Sequence, residues 1–266
     1  MVEQRARPTQ EVATERVETQ RAPLDTAHRQ RDFRIRFDWG ATGAAAVVDP
    51  TGTAVVVDVL SFTTTLTVAV ERGMTVFPFG WKDERAQAYA AERGAVLARG
   101  RSLREGVSLS PASVRASTGV DRLVLPSPNG SSIAFALAGS GATVVGAALR
   151  NAAGVARWLA ARGGPVAVVA AGERWPDGTL RPAVEDLWGA GAVVAGLVDL
   201  GVTGLSPEAR VAERAYRAAR LPEDLLACAS GQELAGIGFE SDVEIAAELD
   251  ATDVVPVLVD EAFVAR

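Results

Sequence analysis

The sequence predicts an α/β protein of three layers, α/β/α, with a mainly parallel sheet in the middle, built as one domain or two lobes. Three observations predict it. Runs such as AVVV, LVL and VAVVA are continuously apolar and rich in β-branched residues, as expected of strands buried on both faces. Between such runs lie segments with apolar residues at helical spacing, several ending in glycine. The chain has 266 residues, 48% of them hydrophobic, enough to bury a substantial core.

Taken in order, residues 1–31 hold few large apolar side chains and many Arg, Glu, Gln and Thr. They read as a disordered or loosely attached leader, and residues 32–266 as the folded unit. RIRFDWG alternates and predicts an edge strand; AVVVDVL (54–60) predicts a buried parallel strand. SFTTTLTVAVERG predicts a helix ending at Gly73. TVFPF (75–79) predicts a strand with Pro78 at an edge or a strand end. KDERAQAYAAER (82–93) predicts a surface helix, AVLAR a short strand, and 100–119 an irregular loop rich in Ser, Gly and Arg. The rhythm then repeats: DRLVLP strand, SSIAFALAGSG helix, ATVVGA strand, NAAGVARWLAARGG helix, PVAVVAA (165–171) strand. ERWPDGTLRPAVED predicts a polar loop entering the helix EDLWGAGAVVAGLVDL. The last third predicts helices, with starts at Ser206-Pro207-Glu208 and at Ser241, whose spacing to Glu244 is that of a capping box, and then the strand VVPVLV (254–259).

Scarcity excludes mechanisms. The formal net charge is −6, which argues against non-specific binding to nucleic acid or an anionic membrane. No apolar run is long and unbroken enough to predict a membrane span. The single cysteine, Cys228, cannot form an internal disulfide, so a cytoplasmic setting is expected, and its apolar surroundings predict a core residue. The single histidine, His28, lies in the polar leader, which excludes chemistry that needs a histidine in the folded core. Lys82 is the only lysine, so the basic side chains are almost all Arg, suited to carboxylate or phosphate, although high genomic GC content gives the same bias. The apolar content leads us to expect a homodimer.

Three stretches carry candidate chemistry. In VVVDVLSFTTTL, Asp58 stands near the carboxyl end of an apolar strand, where ligands of open parallel sheets bind. A carboxylate there is costly unless it is paired or binds a metal. Ser61, Thr63 and Thr64 follow where a helix begins, so they either cap it or add donors to an anion site. In LPSPNGSSIAFAL, Asn129 and Gly130 form a turn and Ser131 and Ser132 open a helix, repeating that geometry. In AGERWPDGTLRPAVEDLWGAGA, Glu185 and Asp186 are adjacent and diverge by about 100° on a helix, so one faces a site directly and the other orients a neighbour. Arg174 and Arg181 are candidate anion clamps, and Gly189 to Ala192 permit close packing of that helix. DPTGT (49–53) looks like an aspartyl-phosphate loop, but the strand that starts at Ala54 leaves no room for the helix such a loop needs, and it reads as a turn. No GxxxxGK[ST] is present.

In order, VVVDVLSFTTTL, SPNGSS, AGERWPDGTLRPAVEDLWGAGA, CASGQELAGIGFESDV and VVPVL resemble the 2-phosphosulfolactate phosphatase (ComB) family, from about Phe33 to the C-terminus. The resemblance implies a cytoplasmic, Mg²⁺-dependent phosphatase with an α/β fold of its own, hydrolysing phosphosulfolactate to sulfolactate in coenzyme M synthesis. It implies Asp58, Glu185 and Asp186 as the acidic residues of the site and Asn129 to Ser132 as its small-residue turn. One departure stands out: the family commonly has Arg where this chain has Ser61, which removes a partner for a second anionic group.

The expectation is therefore a Mg²⁺-dependent phosphatase acting on a small phosphorylated hydroxy acid. Asp58 and Glu185, with Asp186 beside them, would hold the metal. Ser61, Thr63, Thr64, Asn129, Gly130, Ser131, Ser132 and Arg181 would hold the substrate. The alternative is a non-enzymatic anion-binding or regulatory protein on the same fold.

Overall fold

The computed structural model describes residues 26–80, 85–101 and 106–266. After a 3-10 turn at Thr26–Arg29, the elements run β1 (Ile35–Trp39), α1 (Gly40–Val47), β2 (Thr53–Val57), α2 (Phe62–Glu71), β3 (Thr75–Phe79), α3 (Arg85–Glu92), β4 (Val96–Leu97), α4 (Pro111–Ala116), β5 (Arg122–Pro126), α5 (Gly130–Leu137) and β6 (Thr143–Ala147). Then come α6 (Ala152–Arg162), β7 (Val166–Ala170), β8 (Glu173–Arg174), β9 (Leu180–Arg181), α7 (Val184–Asp199), α8 (Pro207–Ala218), α9 (Glu223–Ala227), α10 (Ala229–Gly236), α11 (Glu240–Ala246), β10 (Pro256–Val259) and β11 (Ala262–Ala265).

One nine-stranded sheet, in the order β1-β7-β2-β6-β10-β11-β3-β5-β4, runs through the described chain in place of two lobes. It consists of two parallel blocks, β1-β7-β2-β6 and β3-β5-β4. The β10–β11 hairpin joins them, antiparallel to β6 at Val257↔Val145 and to β3 at Phe263↔Val76. Three antiparallel steps separate the blocks, so they run in opposite directions. α5 nevertheless packs on β2 of one block and on β3 and β5 of the other, which means that the sheet curls about α2 and α5.

The strand period of two sorts the core. Val55 and Val57 of β2 face one cluster with Val193 and Leu197 of α7 and Ala209 of α8. Ala54 and Val56 face the opposite cluster, with Phe62 and Leu66 of α2, Ile133 of α5, and Val76, Leu123 and Leu125 from the second block. Phe77, Phe79 and Val124 turn away from it onto α3. Helices thus cover both faces, as expected from continuously apolar strands.

Several boundaries differ from the sequence reading. The loop expected over 100–119 contains α4, begun by Ser110, whose side chain accepts from Ser113 N. The polar loop after β7 forms the β8–β9 ribbon. Ser206 caps α8 as expected, accepting from Ala209 N at 3.1 Å. Ser241 does not cap α11: that helix starts at Glu240 with Phe239 as its N-cap, and Asp242 in its first turn is fully buried. Pro78 stands two residues past the Val76↔Phe263 pairing, so its missing N–H costs no bond to β11. At the start, Gln30 is buried and bonds both backbone groups of Phe37, at 2.8 Å and 3.1 Å, so the end of the expected leader is tied to β1. Residues 1–25 of that expectation lie outside the described residues.

Candidate active site

Asp58 follows β2 directly and is buried. Its Oδ1 accepts from Phe62 N at 3.1 Å, and its Oδ2 from Gly130 N at 2.8 Å and Ser127 Oγ at 3.4 Å. One carboxylate therefore caps α2 and pins the turn before α5, which ties the carboxyl ends of the two opposed blocks together. Gly130 is required by that approach: a Cβ there would lie 2.6 Å from the Asp58 Cβ and 2.8 Å from Phe62 Cδ1. Asp186, in the first turn of α7, does the same for another junction. Its Oδ1 accepts from Val59 N at 2.7 Å and its Oδ2 from Gly172 N at 2.8 Å. Asp58, Val59, Gly172 and Asp186 thus meet across segments far apart in sequence.

The hydroxyls fare differently from expectation. Thr63 and Thr64 are fully buried, and their hydroxyls donate to Asp58 O at 2.8 Å and Val59 O at 2.7 Å. Ser131 is fully buried, with its Oγ 2.8 Å from Leu125 O and 3.0 Å from Phe79 O, which share its one proton. These three knit the turns from within and offer a ligand nothing. Gly130 acts through its N–H on Asp58. Ser132 donates to Ser127 O at 2.7 Å, half-buried. Arg181 reaches Ser230 Oγ at 3.2 Å and lies over the Trp175 ring, whereas Arg174 turns back onto Gly178 O at the surface. Asp49 bonds its own turn through Thr51 and faces Arg36 at 3.6 Å, as a plain turn would.

What remains open to solvent is a cleft of about 230 Å³ whose walls include Asp58, Ser61, Arg101, Ser127, Asn129 and Glu173. A second cleft of about 250 Å³ shares Asn129 and Glu173 and adds Ser132. Two of these residues were not foreseen. Arg101 comes from the segment expected to be an irregular loop, and its Nη2 stands 2.6 Å from Ser61 Oγ. A guanidinium thus stands beside Ser61 although position 61 itself carries none. Glu173 belongs to the polar loop after β7, and its Oε2 accepts from Asn129 Nδ2 at 2.9 Å. The signal that could have found it is its place just beyond the carboxyl end of a buried strand.

Electrostatically the site is acidic, and Arg101 and Arg181 offset its carboxylates in part. Burial, then the charges of Asp58 and Glu185, push the Glu173 carboxyl up to about 7, against the Asn129 bond and Arg181. Burial raises Asp58 despite its N–H donors, and burial with the Asp58 and Glu185 charges holds Asp186 well above the carboxylate range. Cys228 is pushed up to about 12, first by burial and then by the Glu185 charge, which suits a core thiol and not a nucleophile. Among the described residues, no Arg, Lys or His lies within salt-bridge distance of Asp58, Glu173, Glu185 or Asp186. Buried carboxylates without cations attract a hard cation, and all-oxygen donors suit Mg²⁺. Among the described residues, however, no three His, Cys, Asp or Glu side chains are arranged to hold a metal ion together. The donors therefore fit Mg²⁺ held in its usual manner, by one or two carboxylates with water and substrate oxygens, and not in the three-carboxylate arrangement expected from the sequence.

The family described as 2-phosphosulpholactate phosphatase matches residues 44–261. A protein of Deinococcus radiodurans named "Probable 2-phosphosulfolactate phosphatase" is 34% identical over 214 residues, 77% of this chain and 87% of its own length. One of Carboxydothermus hydrogenoformans with the same name is 31% identical over 208 residues, 76% of this chain and 84% of its own length. Among the described residues no helix is long and apolar enough to cross a membrane.

Proposed function

The chain belongs to the 2-phosphosulfolactate phosphatase family, phosphoric monoester hydrolases, and on that premise we propose that it hydrolyses 2-phosphosulfolactate to sulfolactate and inorganic phosphate with Mg²⁺ as cofactor. The observation that carries the cofactor is the set of carboxylates Asp58, Glu185 and Asp186, all buried, with the half-buried Glu173, and no basic side chain among the described residues within salt-bridge distance of them. Asp58 and Glu185 are the carboxylates that would hold the ion. Bound there, Mg²⁺ would neutralise phosphoryl oxygens and lower the pKa of a coordinated water. Asp186 keeps Val59 and Gly172 in position through its two backbone bonds. Glu173 has the protonation range of a general acid or base near neutral pH, and Asn129 fixes its Oε2. In the hydrolysis, water adds to phosphorus, the ester P–O bond breaks, and the proton lost by the water ends on the leaving hydroxyl or on phosphate. A cytoplasmic setting goes with this reading, since the lone cysteine forms no internal disulfide.

Phosphate release from 2-phosphosulfolactate is the test. It is expected with Mg²⁺, lost in chelator and restored by added Mg²⁺. Release that ignores chelator would remove Mg²⁺ from the reading, and binding without release would remove the enzyme. Glu185→Gln keeps the side-chain shape and is expected to lose at least about 100-fold in turnover, the upper end of the cost of losing even a metal-orienting partner. Mg²⁺ should raise the melting temperature of the wild type and not that of Glu185→Gln. Asp58→Asn is expected to lose turnover too and also to lower the stability of the fold. Its amide nitrogen would meet the N–H of Phe62 or Gly130, at a cost of about 1–3 kcal/mol.

A further inference from the structure

Among the described residues that line the cleft beside Asp58, Arg101 carries the one positive charge, against Asp58, Glu173 and Glu233. An anion entering this cleft meets repulsion unless a fixed cation offsets it. Arg101 is fixed. Its Nε donates to Asp242 Oδ2 at 3.3 Å, and its Nη2 to Ser61 Oγ at 2.6 Å and to Leu109 O at 3.4 Å. Asp242 is in turn held by Ser110 Oγ at 2.5 Å and by Ala112 N at 3.4 Å. The Asp242 side chain is fully buried while that of Arg101 is 19% exposed, so the pair is anchored inside and open on the cleft side. These bonds engage Nε and Nη2 of a planar guanidinium. A fork held in one orientation beside a cleft matches the oxygens of a carboxylate or sulfonate.

We propose that Arg101 takes the non-phosphoryl acidic group of the substrate and so makes the enzyme prefer phosphate esters that carry a second acid. Ser61 and Asp242 are its positioning residues. The inference rests on the phosphatase reading only for which end of the molecule reacts. The phosphoryl group goes to the carboxylate-rich side, where a cation is needed, and the second acid goes to the cation already present.

Two measurements test it. The first is the ratio of kcat/KM for 2-phosphosulfolactate over kcat/KM for isopropyl phosphate, which lacks any second acid. Arg101→Gln is expected to lower this ratio at least tenfold, chiefly through KM, and Arg101→Lys by less, since it keeps the charge and loses the fork. The second needs no turnover: calorimetric binding of sulfolactate, expected to weaken at least tenfold in Arg101→Gln. That variant leaves Asp242 buried without its ion partner, so folding is checked by circular dichroism. Ser61→Ala, which loosens Arg101 without stranding a charge, should move both readouts in the same direction. An unchanged ratio with unchanged sulfolactate binding overturns the proposal while leaving the phosphatase reading intact. No phosphate release by the wild type, together with sulfolactate binding that depends on Arg101, overturns the phosphatase reading and supports this one.

Discussion

Burial at Glu173 has a consequence for stability as well as for proton transfer. Its carboxyl is raised from 4.5 to about 7 by desolvation, with the Asp58 and Glu185 charges adding to it and Asn129 and Arg181 opposing. Below pH 4.5 it is protonated in the folded and the unfolded chain and costs nothing. Between 4.5 and about 7 the unfolded chain ionises while the folded one does not, so stability falls as pH rises and stays lower above that window. Glu173→Gln deletes this contribution and can still accept the Asn129 bond. Urea unfolding in chelator at pH 5 and pH 7.5 should show the wild type losing more stability across that interval than the variant. Equal losses would mean that the carboxyl is not held protonated. Asp58 and Asp186 act in the same sense but are present in both proteins. Asp58 was legible in the sequence because an acid in an apolar strand conflicts with its setting, whereas Asp186, an ordinary acid of a first helical turn, was legible through the family resemblance. Glu173 was not, since ERWPDG reads as solvated loop and its partners, Asn129 and the neighbouring Asp58, are distant in the chain.

The helices repeat this contrast between what a pattern fixes and what it leaves open. Their positions follow from apolar spacing, but the partners of their first N–H groups do not. The start of α2 carries Ser61, Thr63 and Thr64, the residues a free anion site would use, yet Asp58 occupies the donors of Phe62 and Thr63 through its carboxylate and carbonyl. The ligand-like anion is part of the chain. α7 shows the reverse, a packing role readable from composition. A Cβ at Gly189 would lie 2.6 Å from Val59 Cγ2 and 2.8 Å from Val57 Cγ1, so this glycine lets α7 close on β2. A Cβ at Gly191 would lie 2.1 Å from Ala212 O, a backbone atom of α8 that cannot rotate away. Gly191→Ala is therefore expected to cost at least about 2 kcal/mol in denaturant unfolding, within the range of overpacked cores. Gly236→Ala is the control, with no atom within 4 Å of its Cβ, and should be neutral or stabilising by up to about 1 kcal/mol through helix propensity. If the two variants behave alike, α7 and α8 do not depend on that close contact.

At the scale of the molecule, alternation of strands and helices led to a mainly parallel sheet, but not to the reversal within it. The reversal rests on β11, four residues that follow β10 through Asp260 and Glu261, with Asp260 at φ 55°. Asp-Glu lacks the glycine that marks a two-residue hairpin turn, so the connection left no sequence signal. Yet this hairpin alone pairs one block with the other, through Val145 on one side and Val76 on the other. Phe263 of β11 is fully buried and meets the ring of Phe62, whose N–H rests on Asp58. The hairpin thus supports the site from behind. Phe263→Ala is expected to cost about 3–5 kcal/mol, as for a large aromatic removed from a core, with the urea m-value unchanged. Ending the chain at Val259 removes the whole pairing of β11 with β3 and β10, leaving the α2–α5 core and the Asp58 bonds to Gly130 and Ser127 between the blocks. Urea unfolding of that chain should then separate into two transitions, or show a lower m-value than the full chain, because the blocks no longer unfold as one. A single transition with the full m-value would mean that α2 and α5 couple the opposed blocks without the hairpin.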